Sequence, residues 1–288
     1  MQLFTIDTGF FKLDGGAMYG VVPKSIWNSL NPADENNLCT WALRCLLVQE
    51  GDKLILIDTG NGDKQGEKFF RHYYLQDTVA LDAALAKHGF TTDDVTDVIL
   101  THLHFDHCGG AVVKKGEQLV PAFKNARYWS NERHWKWATA PNEREKASFL
   151  KENILPIQES GQLHFVPVPP GESVMTPFAS GIIEALSFLL VSGHTEAMLI
   201  PVIRYGDKTI VYMADLLPSV GHLPLPYVMA YDMFPLTTLS EKKLFLTQAL
   251  EKDWILFFEH DPKNECCNLQ MTPKGIRHKD LFRLADLQ

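Results

Sequence analysis

The sequence predicts an α/β protein built as a four-layer αββα sandwich. Segments with strand and helix patterns follow one another in the order β-rich, α, β-rich, α, and two sheets packed face to face with helices outside accommodate that order. The chain has 288 residues, 45% of them hydrophobic, which is ample material for a core. Because no low-complexity linker or internal repeat divides it, we expect one domain over residues 1–288.

The first β-rich and α segments begin with a hairpin. Gly51-Asp52 lies between two apolar runs and is a signal for a two-residue turn, and the second run ends at Asp58. Apolar positions with helical spacing follow and stop at Gly89. The predicted elements are strands over 42–49 and 53–58, a helix over 78–88 and a short buried strand over 97–100.

The second half of the chain repeats this alternation. Trp135 and Trp137 stand among charged residues in an amphipathic segment, and Gly206-Asp207 predicts a tight turn between two later strands. The predicted elements are helices over 131–151 and 240–252, and strands over 182–191, 197–204, 209–213 and 254–258.

Four metal-binding side chains fall within six residues directly after the strand at 97–100. They are His102, His104, Asp106 and His107. Gathering such groups in an apolar setting is costly unless something pairs with them, and imidazole with carboxylate suits Zn(II), Fe or Mn better than Mg or Ca. An exposed polar loop without metal is the alternative, but Gly109-Gly110 permits the sharp turn that lets ligands converge. The sequence therefore predicts a metal site here.

This run resembles the H-x-H-x-D-H signature of the metallo-β-lactamase superfamily. Three later positions match the family's further ligands, and each follows a predicted strand: His194 in Ser-Gly-His-Thr, Asp215 in Met-Ala-Asp, and His260 in Glu-His-Asp. Asp58, in Asp-Thr-Gly, matches an earlier motif of the family. The resemblance covers residues 42–262 and implies the metallo-β-lactamase fold.

The resemblance implies two divalent metal ions, with zinc expected and Fe or Mn as alternatives. The first ion would be held by His102, His104 and His194, the second by Asp106, His107 and His260, with Asp215 bridging both. A hydroxide between the two ions would be the nucleophile. Asp106 is the candidate catalytic residue, which would steer that hydroxide or protonate the leaving group. Asp58 would orient a ligand imidazole without binding metal.

Within the superfamily, the chain is most similar to the branch of N-acyl homoserine lactonases and methyl parathion hydrolase. Residues 14–24 resemble the loop that precedes the first sheet in that branch. The lactonases carry a tyrosine three residues after the bridging aspartate, where this chain has Pro218, so Tyr227 and Tyr231 are the substitute candidates for a substrate pocket that also includes Phe105.

The expected function is hydrolysis of a small ester-like substrate, a lactone or a phosphotriester. One alternative is a thioester hydrolase of the glyoxalase II type, although only 28 residues follow His260 and no helical glutathione-gripping region is evident among them. Another is a non-catalytic metal-binding or sensing protein on the same fold, which the intact ligand set disfavours.

Charge and composition restrict the partners. A formal net charge of −8 disfavours nucleic acid as substrate and leaves a small molecule. The N-terminus has no signal-peptide pattern and no segment has the ~18 apolar residues that span a bilayer, so we expect a cytoplasmic protein without membrane contact. Five scattered cysteines without a C-x-x-C pair predict reduced thiols. The oligomeric state is not predicted.

Overall fold

The computed structural model describes residues 1–287, which contain fifteen strands and eight α-helices. The strands are β1 (Gln2–Asp14), β2 (Leu38–Glu50), β3 (Lys53–Ile57), β4 (Asp97–Ile99), β5 (Val112–Lys115), β6 (Gln118–Pro121), β7 (Arg127–Ser130), β8 (Leu163–Phe165), β9 (Val174–Ala179), β10 (Leu186–Val191), β11 (Met198–Tyr205), β12 (Lys208–Tyr212), β13 (Ile255–Phe257), β14 (Cys266–Thr272) and β15 (Gly275–Phe282). The helices are α1 (Gly15–Tyr19), α2 (Lys24–Trp27), α3 (Glu67–Phe70), α4 (Leu81–Ala86), α5 (Phe105–Cys108), α6 (Glu132–Thr139), α7 (Lys151–Glu159) and α8 (Pro235–Glu251).

The chain divides into two compact units. The first comprises Met1–Gly9 and Leu43–Val168, and the second comprises Phe10–Ala42 and the described residues from Pro169 onward. The organisation of residues 1–288 as one domain stays a prediction.

In the first unit, a parallel arrangement brings the ends of several strands to one sheet edge. The six-stranded sheet has the order β1-β2-β3-β4-β7-β8, in which β3, β4, β7 and β8 are mutually parallel. Their apolar residues are buried, as Leu56 and Val98 illustrate. Because parallel strands end at the same edge, Asp58 after β3 and His102 after β4 emerge together.

In the second unit, three strands of a seven-stranded sheet also end at one edge. The order is β15-β14-β13-β12-β11-β10-β9, with β12 and β13 parallel and the other neighbours antiparallel. Since β10 is two antiparallel steps from β12, strands β10, β12 and β13 all run the same way. His194, Asp215 and His260 each stand three residues after the end of one of them.

The predicted elements occur, with several corrected boundaries. The hairpin of β2 and β3 turns at Gly51-Asp52, with Gly51 at φ +59°, and β11 and β12 turn at Gly206-Asp207. The helix predicted over 78–88 is shorter, and the helix predicted over 240–252 starts earlier, with Pro235 in its first turn, where a missing N–H costs nothing. The strand predicted from Ile182 begins at Leu186, since Gly181 at φ +73° belongs to a turn.

The single helix predicted over 131–151 is wrong. Helix α6 starts after Asn131, whose side chain accepts a hydrogen bond from the backbone N–H of His134, and ends at Thr139. Ala140 precedes Pro141, and a residue before proline disfavours the α region, so the chain leaves the helix there. Helix α7 begins only at Lys151.

Strands at both ends of the described chain were not predicted from the sequence. Residues 14–24, expected as a loop ahead of the first sheet, instead begin at the last residue of β1, a strand of that sheet, and contain the whole of α1. Strands β14 and β15 were not predicted either, because β15 is half-exposed and carries charges where apolar alternation would signal a strand. Among residues 1–287, no helix combines the length and apolarity that crossing a membrane requires.

All five cysteine side chains are buried thiols. Burial raises the pKa of Cys39 to about 11 and that of Cys108 to about 12, so neither forms a reactive thiolate near neutral pH. We expect a chromogenic disulfide reagent to find almost no reactive thiol in the native protein and five per chain after denaturation. Two or fewer thiols in the denatured protein would contradict this.

Candidate metal centre

In the first unit, three imidazoles crowd around the start of helix α5. His102 Nε2 lies 3.1 Å from His104 Nδ1, and the rings of His102 and His107 have centroids 3.9 Å apart. The three histidines and Asp106 are all buried. Burying several imidazoles this close together is costly unless their nitrogens are paired, and a cation is one group that pairs with them.

Asp58 holds two of these histidines, His107 and His102, through their Nδ1 atoms. His107 Nδ1 lies 3.1 Å from Asp58 Oδ2. His102 Nδ1 lies 3.2 Å from Thr101 Oγ1, and that hydroxyl donates to Asp58 Oδ2 at 2.7 Å. Because the Thr101 hydroxyl donates its hydrogen to the carboxylate, the hydroxyl oxygen accepts a hydrogen bond from His102 Nδ1. Asp58 thus orients His107 directly and His102 through Thr101, leaving Nε2 of both rings as the lone-pair nitrogen.

Glu145 orients the third histidine. His104 Nε2 lies 3.0 Å from Glu145 Oε1, while Trp137 Nε1 donates to Glu145 Oε2 at 2.6 Å. A carboxylate only accepts, so His104 carries its hydrogen on Nε2 and presents the lone pair of Nδ1. Sequence reasoning missed Glu145, because it lies in the non-helical segment 140–150, where a helix was predicted.

In the second unit, one carboxylate contacts two histidines. Asp215 Oδ2 lies 3.1 Å from His194 Nε2, and Asp215 Oδ1 lies 3.2 Å from His260 Nε2. All three side chains are buried. A carboxylate with one oxygen toward each of two imidazoles has the disposition of a bridging metal ligand.

The remaining nitrogens of these two histidines also have acceptors. His260 Nδ1 donates to the carbonyl oxygen of Ala42 at 2.8 Å, and His194 Nδ1 donates to Asp232 Oδ1 at 2.9 Å. Both rings therefore present the Nε2 lone pair toward Asp215. Asp232 was also missed by sequence reasoning, since it matches no motif and stands 38 residues from its partner.

The donor set fits a divalent transition metal. Three imidazoles in the first unit and two in the second each have one ring nitrogen held by an acceptor, which is the usual arrangement of metal-binding histidines. The other nitrogen of each ring faces a further candidate ligand of the same unit. Each unit also supplies one candidate carboxylate ligand, Asp106 in the first and Asp215 in the second. Nitrogen and oxygen donors in these proportions suit Zn(II), Fe or Mn.

Phe105 belongs to an aromatic cluster in the first unit. Its ring centroid lies 5.2 Å from that of Phe69 and 4.7 Å from that of Tyr73. Burial raises the pKa of Tyr73 to about 12, and the nearby Asp106 carboxylate adds to that rise. The cluster is thus an apolar surface beside a candidate metal ligand.

The two tyrosines expected in a substrate pocket lie in the second unit. Tyr227 packs edge-on against Tyr19, with centroids 6.2 Å apart, and its carbonyl oxygen accepts a hydrogen bond from buried Lys242 at 2.7 Å. Tyr231 is 39% exposed and directly precedes Asp232, the residue that holds His194. Their role in a pocket stays a prediction.

The family of the chain follows from comparison with known proteins. The model of the metallo-β-lactamase superfamily matches residues 44–260, a stretch that includes every candidate ligand. The chain belongs to the metallo-β-lactamase superfamily. It is a metallo-hydrolase of that superfamily, and the predicted α/β class and metallo-β-lactamase fold are confirmed.

Individual relatives agree with this family. A probable metallo-hydrolase of Mycobacterium tuberculosis is 25% identical over 255 residues, which cover 77% of this chain and 76% of the relative. A probable metal-dependent hydrolase from Staphylococcus aureus is 25% identical with a TM-score of 0.84, covering 98% of both chains. AidC, a dizinc quorum-quenching lactonase in complex with a product, is 22% identical with a TM-score of 0.77, covering 98% of this chain and 95% of AidC. The likeness to AidC is one of fold.

Proposed function

We propose that this metallo-β-lactamase superfamily member hydrolyses a small neutral ester, a lactone or a phosphotriester, with two divalent ions, expected to be zinc. The ligands are His102, His104, Asp106, His107, His194, Asp215 and His260. The observation that carries this proposal is the orientation of the five imidazoles: each is held through one nitrogen by an acceptor. The other nitrogen of each faces a further candidate ligand.

Bound metal ions would supply two effects that these side chains do not provide by themselves. Bound divalent ions polarise a carbonyl or phosphoryl oxygen and bring the pKa of water close to neutrality. Asp215 would supply negative charge to both ions. Asp58, Glu145 and Asp232 hold four of the five imidazoles in fixed tautomers, and the carbonyl oxygen of Ala42 holds His260. Asp106 would act as the acid–base group: its carboxylate would take a proton from the attacking water and give it to the leaving group.

The substrate class follows from charge and apolar surface. The protein has a net charge of −8, which repels a polyanion and leaves neutral esters as the favoured class. The cluster of Phe69, Tyr73 and Phe105 beside Asp106 suits an acyl or aryl group. AidC, a fold neighbour, is described as a lactonase in complex with N-hexanoyl-L-homoserine, which makes acyl lactones the first substrates to test.

A substrate panel tests this function. The metal-loaded protein is assayed against N-acyl homoserine lactones of several chain lengths, an aryl phosphotriester, a glutathione thioester and RNA. We expect turnover of a lactone or the phosphotriester, abolished by a chelator and restored by Zn²⁺. Turnover of the thioester alone would favour the glyoxalase II type, and binding of metal without any turnover would favour a sensing protein.

Replacing Phe105 should weaken the binding of long-chain substrates more than that of short-chain substrates. In Phe105→Ala, we expect KM for an N-decanoyl lactone to rise at least about tenfold, equivalent to 1.4 kcal/mol, because each buried methylene contributes about 0.8 kcal/mol. KM for an N-butanoyl lactone should change much less, and kcat should stay similar, which is the pattern of lost uniform binding.

The matched control for this experiment is Phe123→Leu, a change in the core of the same unit that leaves the aromatic cluster intact. Equal effects of Phe105→Ala on both chain lengths would contradict an acyl-binding role.

A further inference from the structure

The loop that carries His194 is held by the segment leading into helix α8. Met233 N donates to the carbonyl oxygen of His194 at 3.0 Å, and Phe234 N donates to that of Gly193 at 2.8 Å. Gly193 has no space for a side chain, because an added Cβ would collide with the backbone nitrogen of Thr238 in the first turn of α8. The backbone of residues 192–194 is therefore pressed against this helix.

Glu241, one turn further along α8, completes the attachment. It is 2% exposed, and its Oε1 accepts from Ser192 N at 2.7 Å while its Oε2 accepts from Gly193 N at 3.1 Å. The hydroxyl of Ser173 also donates to Oε1. A buried carboxylate is costly unless its oxygens are satisfied, and here each oxygen accepts a backbone N–H directly before His194.

The two ends of this attachment act on different parts of His194. Asp232 fixes the rotation of the imidazole through Nδ1, whereas Glu241 fixes the backbone from which the side chain projects. Both are needed to aim Nε2, because a ring that is correctly rotated on a displaced backbone misses its target. Small displacements matter for a ligand, since metal sites need their donors within about 0.5 Å of the productive position.

We propose that Glu241 is a positioning residue for His194 and thereby sets the affinity of the metal ion that His194 binds. This inference rests on the proposed metal function. Glu241 touches neither metal nor substrate; it acts only through the two backbone N–H groups. Partners one step outside a ligand typically contribute about 10–100-fold in metal affinity, and one placed on the backbone should lie at the lower end of that range.

Glu241→Gln is the direct test. Glutamine keeps the size of the side chain but replaces one oxygen with an NH₂ group, which faces a backbone N–H that it cannot accept from. We expect the dissociation constant of one Zn²⁺ ion, measured by competition with a chromogenic chelator, to rise about tenfold, while that of the second ion stays unchanged. The visible absorption spectrum of the Co²⁺-loaded protein should also change.

Phe245→Leu is the matched control. Phe245 is fully buried on the same helix and packs near Trp254, so its truncation lowers the melting temperature without touching residues 192–194. This control should retain both zinc affinities and the Co²⁺ spectrum. If Glu241→Gln does not fold, Ser173→Ala takes its place, because it removes a donor that orients the same carboxylate.

Two results would overturn the inference and leave the proposed function intact: unchanged zinc affinities in Glu241→Gln, or an equal loss of affinity in Phe245→Leu, which would assign the effect to general destabilisation. A wild-type protein that binds no Zn²⁺ would instead overturn the proposed function, and the inference with it.

Discussion

Replacing Asp215 with asparagine is expected to lower kcat/KM by more than about 100-fold and to reduce the bound metal from two ions to one. Even the loss of a hydrogen-bond partner of a metal ligand typically lowers metal affinity or activity about 10–100-fold. Asp215 itself contributes a charged oxygen toward each of two histidines. Asparagine is nearly the same size but neutral, so the two cations would lose the charge that holds them together.

The measurements for this variant are metal content by elemental analysis, steady-state kinetics on the best substrate and thermal unfolding of the apo protein. The melting temperature of the apo form should change little, since the substitution removes a buried charge and no packing. Asp207→Asn, in the exposed turn between β11 and β12, is the control and should behave as the wild type. An Asp215→Asn protein with two ions and full activity would contradict the bridging role.

Replacing Asp58 with asparagine is expected to weaken metal binding by about 10–100-fold, although Asp58 binds no metal in the proposed site. Its carboxylate accepts from Thr101 N at 2.8 Å, from Thr101 Oγ1 and from His107 Nδ1, so it fixes two ligand imidazoles. Asparagine tolerates the left-handed backbone that Asp58 adopts at φ +57°, so the backbone stays unstrained. The NH₂ group of asparagine would face one of these three donors and could not accept its hydrogen bond.

Asp97→Asn is the matched control for Asp58→Asn. Both aspartates are fully buried in the first unit, but Asp97 begins β4, at the opposite end of the parallel strands from Asp58 and His102. It accepts from Lys53, Arg127 and Trp129. We expect Asp97→Asn to lower the melting temperature and leave the dissociation constants for Zn²⁺ unchanged. Equal loss of zinc affinity in both variants would show that Asp58 acts only through stability.

The candidate ligands could be proposed from the sequence because strand ends and ligand motifs coincide. The run from His102 to His107 follows a short buried strand, and His194, Asp215 and His260 each follow another. Local patterns therefore located the strands, and the family signature assigned the residues after them.

The residues that orient the ligands could not be predicted in the same way. Glu145, Asp232 and Glu241 stand 41, 38 and 49 residues from their partners and belong to no local motif. Their contacts depend on how distant segments pack, such as α8 against the loop at 192–194. Asp58 was the exception, because the family motif identified it.

The predictions of element boundaries and of strands at the sheet edges failed for a related reason. Pro141 ends a helix that amphipathic spacing would continue, and the half-exposed residues of β15 lack the alternation that identifies a strand. These elements are stabilised by their neighbours in the folded chain, so the local sequence carries little of the signal.

Metal stoichiometry tests the central claim most directly. The protein is purified, loaded with Zn²⁺, freed of excess metal by gel filtration and analysed for metal and protein in the same sample. The seven proposed ligands, with Asp215 as the proposed bridge, predict two zinc ions per chain, falling to one in Asp215→Asn. One ion or fewer in the fully loaded wild-type protein would contradict the dinuclear site.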